Sequence, residues 1–288
     1  MRIVSLLPSA TEIVCCVGLQ SSLVGVTHEC DYPVGVRDLP VVTTSRIPKG
    51  LASRDIDTIV RTQLESDAAL YSLKMEVLEE LRPDLIISQS LCDVCAVAAN
   101  EVEAAACQLP GRPRVLNLEP ASLEDVFGTV IEVGRAAECE NRARQTVSGL
   151  QARVDCVRQK ASSSRKRPRV AVLEWLDPLF NAGHWTPQLV DFAGGIDCLG
   201  NLFEPSSTIS FDQLSDADPD VIVVALCGFN VQRSREDVTS IETRPEWQQL
   251  RAVRSGNVHV VDGNAYFSRP GPRLVDSLEL LGRLFRRF

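Results

Sequence analysis

SLEDVFGTVIEVGRAAECENRARQTVSGLQARVDCVRQK, residues 122–160, carries helical periodicity from end to end. Ser122 with Asp125 three residues on is an N-cap signature, and no proline interrupts the run before Pro168. Leu123, Val126, Phe127, Val130, Ile131, Gly134 and Ala137, then Val147, Leu150, Val154 and Val157, recur at the spacing of a helix face. At about 1.5 Å per residue an unbroken helix of this length spans roughly 55 Å, more than one small domain, so it reads as a spine between two lobes. The alternative is an ordinary core helix inside one large domain. The expected layout is an N-terminal α/β lobe over 1–120, the spine helix over 121–161, a basic linker over 162–168 and a C-terminal α/β lobe over 169–288.

Composition agrees with two lobes. The chain has 288 residues, enough for two cores, and its 44% hydrophobic and 24% charged content is that of a soluble globular protein. A formal net charge of -8 leaves no basic surplus for nucleic acid. The basic run Arg165 to Arg169 in SSSRKRPR reads as a solvated linker, with a localisation or docking signal as the alternative. No stretch reaches the ~20 apolar residues of a membrane span, so no membrane insertion is expected. MRIVSLLPSATEIV enters a strand and a helix with no signal-peptide pattern ahead of it, which predicts a cytoplasmic protein whose ten cysteines are thiols. Cys15, Cys16, Cys107, Cys139 and Cys156, in helical patterns, read as buried small hydrophobes.

In the first half, strands at 2–7, 23–26 and 85–88 alternate with helices, the first opened by a capping box in Pro8-Ser9-Ala10-Thr11-Glu12. Alternation predicts parallel sheets, and ligands collect at the carboxyl ends of such strands. Ser9, the His28-Glu29-Cys30-Asp31-Tyr32 loop, Cys92 and Cys95 all follow strand ends. His28, Cys30, Cys92 and Cys95 are the donors a tetrahedral zinc or iron site needs. A cysteine pair at a helix opening also suits redox or thiol chemistry, and cleft lining or plain structural thiols are the other readings.

The second half repeats the plan with strands at 169–173, 221–226 and 258–261. Thr186 is expected to cap a helix with Pro187 at its first position, ending at Gly194-Gly195. The strand-end loops hold Trp185, Phe229, Tyr266 and Phe267, in a chain only 5% aromatic, which suits a large, flat, mostly apolar ligand as well as plain packing. His184 is a further metal candidate, His259 reads as structural, and Arg269 and Arg273 suit a ligand carboxylate or phosphate. GxxxxGK and GxGxxG do not occur.

RIVSLLPSATEIV with VGVTHECDYP resembles the opening of the vitamin B12-binding branch of the helical-backbone periplasmic binding proteins, and PDLIISQSLCDVCAV, FNAGHWTPQLVDFAGG and NAYFSRPGPRLVDSLE resemble one subfamily of it. The resemblance covers nearly the whole chain. It implies two parallel-sheet lobes, one long helix and a ligand cleft between the lobes. It also implies a binding protein for cobalamin, another corrinoid or a related metal chelate, lined by Ser9, His28 to Tyr32, Cys92 to Cys95, His184, Trp185, Tyr266 and Arg269. An ABC transporter partner would require export, and a cytoplasmic relative would instead buffer or hand over a corrinoid. The rival readings are a zinc or iron protein built on His28, Cys30, Cys92 and Cys95, and a thiol or metal enzyme at the same residues.

Overall fold

A computed structural model describes residues 1–48, 50–65, 70–89, 97–164 and 166–288. The chain divides into two compact units, Met1–Pro120 with Glu124–Ser148, and Ala121–Leu123 with Gly149–Phe288.

Unit 1 begins with β1 (Ile3–Ser5), α1 (Pro8–Cys16), β2 (Leu23–Gly25), β3 (Thr43–Ser45), α2 (Ser53–Glu65), β4 (Tyr71–Leu73) and α3 (Met75–Leu81). It continues through β5 (Leu85–Ser88), α4 (Ala99–Gln108), β6 (Arg114–Asn117) and α5 (Leu123–Ala136). The strand order is β2-β1-β5-β6, every pair parallel. Such sheets are covered on both faces, and Ile3, Val4 and Leu85 to Ile87 are accordingly 0–1% exposed. β3 and β4 form a separate antiparallel pair that period-2 patterning over so few residues did not reveal. The expected capping box on α1 is absent. Leu7 occupies the cap without a side-chain bond, Pro8 starts the helix, and the Thr11 hydroxyl turns inward to Ser5 Oγ at 2.9 Å.

The expected unbroken helix is two helices, α5 and α6 (Glu140–Ser162). Glu138 has φ +57°, and the amides of Glu138 and Cys139 return to the carbonyls of Arg135 and Gly134 at 3.2 and 2.7 Å. That is the Schellman ending, with a glutamate where glycine usually sits. The chain can turn sharply here because Gly134 has no side chain: a Cβ on it would lie 2.3 Å from the Cβ of Ala143, at the end of the first turn of α6.

Unit 2 contains β7 (Arg169–Leu176), β8 (Leu179–Asn181), α7 (Thr186–Phe192), β9 (Ile196–Asp197), α8 (Phe211–Ala217), β10 (Val221–Val224) and α9 (Val231–Ile241). It ends with α10 (Pro245–Gln249), α11 (Arg251–Arg254), β11 (Val258–Val260), α12 (Gly263–Tyr266) and α13 (Leu274–Phe285). The order β11-β10-β7-β8 is parallel except at β8, which folds back antiparallel on a β7 longer than its apolar run suggested, and β9 pairs with the start of β7. α7 forms where expected, but Trp185, not Thr186, holds its cap position. The core gathers Leu173, Ile222, Val224, Leu226 and Trp247.

The cysteines reverse the expectation. Cys107 and Cys156 are exposed, Cys15, Cys16 and Cys139 half-buried, and Cys30, one of the residues offered as metal ligands, is the buried one among the described cysteines at 5%.

Candidate functional site

In unit 1 the loop after β2 sends its side chains in opposite directions. The Cys30 thiol lies 3.1 Å from Thr11 Oγ1 and 3.4 Å from Thr27 Oγ1, and the Thr27 hydroxyl also accepts the Glu29 amide at 3.1 Å. His28 is exposed instead, with Nδ1 2.8 Å from Thr43 Oγ1 and its ring 5.5 Å from that of Tyr71. Ser9 is buried at 2%, in the first turn of α1. Glu29 is exposed, Tyr32 is 46% exposed, and Asp31 lies 4.0 Å from Arg37. His28 and Cys30 therefore do not converge. Among the described residues no group of three or more His, Cys, Asp or Glu side chains is placed to hold a metal ion; Cys92 and Cys95 lie outside the described residues. Burial pushes the Cys15, Cys16 and Cys198 thiols up to about 11, 12 and 11, so none of the three is a nucleophilic thiolate near neutrality.

In unit 2 the strand-end loops sort the aromatic residues into two kinds. Trp185 and Phe267 are buried, 5% and 2% exposed, and the Trp185 indole donates to the Phe267 carbonyl at 2.9 Å, a packing arrangement rather than a stacking platform. Arg269, offered as a holder of a ligand carboxylate or phosphate, is 6% exposed and donates to Asn264 Oδ1 at 3.0 Å. His184 stacks on Trp185 at 5.4 Å, and burial lowers its pKa, holding it neutral. It takes φ +51° while exchanging backbone bonds with Phe203 and Glu204.

Phe229 and Tyr266 are the half-buried rings. Phe229, after β10, sits 5.1 Å from Trp175 near the end of β7, with the Arg233 guanidinium 4.6 Å from its ring centroid and Asp237 paired to Arg233. The Asn264 amide donates to the Phe229 carbonyl at 3.1 Å, tying the Tyr266 loop to the same edge, and Arg273 lies 5.8 Å from the Tyr266 centroid. Gly263 makes this closure feasible: a Cβ there would stand 2.1 Å from the Leu226 carbonyl oxygen. Trp175, Arg233 and Glu174 were not singled out from sequence, although Glu174-Trp175 directly follows the apolar run of β7, where strand-end residues fall. Glu174 turns inward to accept the Gly183 amide at 3.2 Å, and burial pushes its carboxyl up to about 7. The carboxyl edge of this sheet thus carries ring faces backed by guanidinium groups, able to take a flat conjugated ligand by stacking and its acidic substituents by charge.

A family profile described as periplasmic binding protein matches residues 3–265 of this pair of α/β units. The chain belongs to that family. Vitamin B12-binding protein of Vibrio cholerae is 25% identical over 281 residues, 96% of this chain and 86% of that protein. The uncharacterized ABC transporter substrate-binding lipoprotein YvrC of Bacillus subtilis is 23% identical over 287 residues, 97% of this chain and 78% of that protein. Among solved structures, the apo periplasmic heme-binding protein RhuT of Roseiflexus sp. RS-1 superposes with a TM-score of 0.74 at 22% identity, covering 99% of this chain and 98% of that one. The periplasmic vitamin B12 binding protein BtuF of Vibrio cholerae gives 0.71 at 20% identity, covering 99% and 96%. The expectation of a cytoplasmic protein is corrected here, because these relatives are periplasmic proteins and a lipoprotein and point to an extracytoplasmic location. Among the described residues no helix is long and apolar enough to cross a membrane.

Proposed function

We propose that this chain is an ABC-type substrate-binding protein for a corrinoid or haem-like metal chelate, with cobalamin as the first candidate, and that Phe229, Tyr266 and Trp175 supply its ring contacts. The observation that carries the reading is the Trp175–Phe229 pair at 5.1 Å, half-buried at the carboxyl edge of the unit 2 sheet, where ligands of parallel sheets collect. Relatives named for vitamin B12 and heme support a tetrapyrrole-type ligand. Arg233 and Arg273, beside the rings, suit the amide or carboxylate arms such macrocycles bear. The separation of His28 from Cys30 offers no support to the zinc or iron reading.

The test is equilibrium titration of cyanocobalamin and of haemin into the protein and its Phe229→Ala and Tyr266→Ala variants. Each ring acting as an anchor is expected to weaken the bound chelate by about 1–3 kcal/mol. Unchanged affinity in both variants would remove the rings from the site.

A further inference from the structure

Away from the strand-end rings, a cavity lies in unit 2 beside the turn that leads from α7 to β9. Its volume is about 250 Å³, and its walls are the last turns of α6, the end of α13 and the turn after α7. Small residues make the room. A Cβ on Gly282 would come 3.0 Å from Val157, and one on Gly194 3.0 Å from Ala161, so the three elements approach at glycines and leave a gap beside them.

The charge around the gap is one-sided. Among the described residues, Arg153, Lys160, Lys166, Arg283 and Arg286 line it against the single carboxylate of Glu279, in a chain whose net charge is -8. Arg153 is committed, donating to Glu279 at 2.8 Å and Asp276 at 2.5 Å. That hydrogen bond, with the charges of Arg283 and Lys160 adding to it, holds the Glu279 carboxyl below the usual range. Among the described residues Lys160, Lys166, Arg283 and Arg286 make no salt bridge, and all four are exposed. Cations at a helix C-terminus offset the helix dipole, which explains Lys160, Arg283 and the α13 cap residue Arg286 singly. It does not call for four cations without a salt bridge, from three segments, around one cavity.

We propose that this cavity binds a phosphate ester, its oxyanion held by Lys160, Arg283, Lys166 and Arg286 and its short carbon portion resting on Ala161, Gly194 and Phe285. A phosphate ester fits because it offers several acceptor oxygens to donors arriving from different sides, together with an apolar stub of a size suited to this volume. The site is separate from the strand-end rings, so it stands or falls independently of the chelate reading.

The experiment uses the full chain at low ionic strength and three probes: inorganic phosphate, glycerol 3-phosphate, and phosphatidylglycerol vesicles with phosphatidylcholine vesicles as the neutral control. Glycerol 3-phosphate is expected to bind and to protect the exposed Cys156 thiol on the cavity wall from alkylation. The Lys160→Glu/Arg283→Glu pair is expected to lower that affinity by at least about tenfold while chelate binding is unchanged. Binding of the soluble ester alone marks a small-molecule site, and binding of the anionic vesicle alone marks a lipid headgroup as the source; both uphold a phosphate ester. No binding of any probe, equal binding of neutral vesicles, or unchanged affinity in the double variant overturns the proposal. Lys160→Gln/Arg283→Gln serves in its place should the charge-reversed protein fail to fold.

Discussion

The strand-end loops of the two units present opposite chemistry. In unit 1, Thr11, Thr27 and Cys30 turn polar groups inward into a closed hydrogen-bonded set, and His28 is steadied by Thr43. In unit 2, the equivalent edge turns Phe229, Trp175 and Tyr266 partly outward and backs two of those rings with arginines. Hydrogen bonds satisfied within the protein hold a loop but leave little to offer a ligand, whereas a half-exposed ring face retains apolar area to bury on binding. On the proposed reading, this difference gives the larger share of ligand-contact energy to unit 2. Within unit 2 the same contrast separates Trp185, already hydrogen-bonded and buried, from Phe229.

Trp185→Ala gives the sharpest test of that separation. It should cost about 3–5 kcal/mol in urea unfolding, the range for emptying a buried tryptophan site. A stable Trp185→Ala protein with lost chelate affinity would instead place that ring in the site. Gly263→Ala comes next, at about 3 kcal/mol, because its new methyl meets backbone rather than a yielding side chain; an undisturbed urea midpoint would mean that the Tyr266 loop is not clamped to Leu226.

Glu174 adds a pH dependence to unit 2. The folded protein holds this proton to about 7, while the free carboxyl loses it near 4.5. Its contribution to stability is therefore fully present below 4.5 and fades as pH rises to about 7. Glu174→Gln should flatten this part of the stability profile, read as urea midpoints at pH 5 and 8, and an identical slope in both proteins would show Glu174 to be solvated. The smallest expected effect lies in unit 1. Glu138→Gly should stabilise by about 1 kcal/mol, since glycine takes a positive φ without the Cβ penalty. No gain would imply that the glutamate side chain offsets its own strain.

The parallel sheets were legible because buried strands such as Leu85–Ser88 are short apolar runs between turn residues, and the carboxyl-edge rule pointed to the Phe229 and Tyr266 loops, which do follow strand ends in the structure. The helix break was not legible. Periodicity continues on both sides of Glu138, and the residue in the left-handed position is not the glycine that normally announces such an ending. Burial within a loop was equally hidden. Trp185 and Phe229 both follow turn-rich segments, and only the tertiary bond from Trp185 to Phe267 tells them apart. Cys30 and Cys156 show the same limit: a cysteine's spacing does not reveal whether a threonine hydroxyl waits for it inside or solvent outside.

The most direct measurement is the visible absorption spectrum of the protein after mixing with excess cyanocobalamin, and separately haemin, followed by removal of unbound chelate. Retention of one of them at close to one equivalent, reduced in Phe229→Ala and Tyr266→Ala, is the predicted result. A protein that retains neither, under conditions where it remains folded, would contradict the assignment of a tetrapyrrole-type ligand to the unit 2 edge.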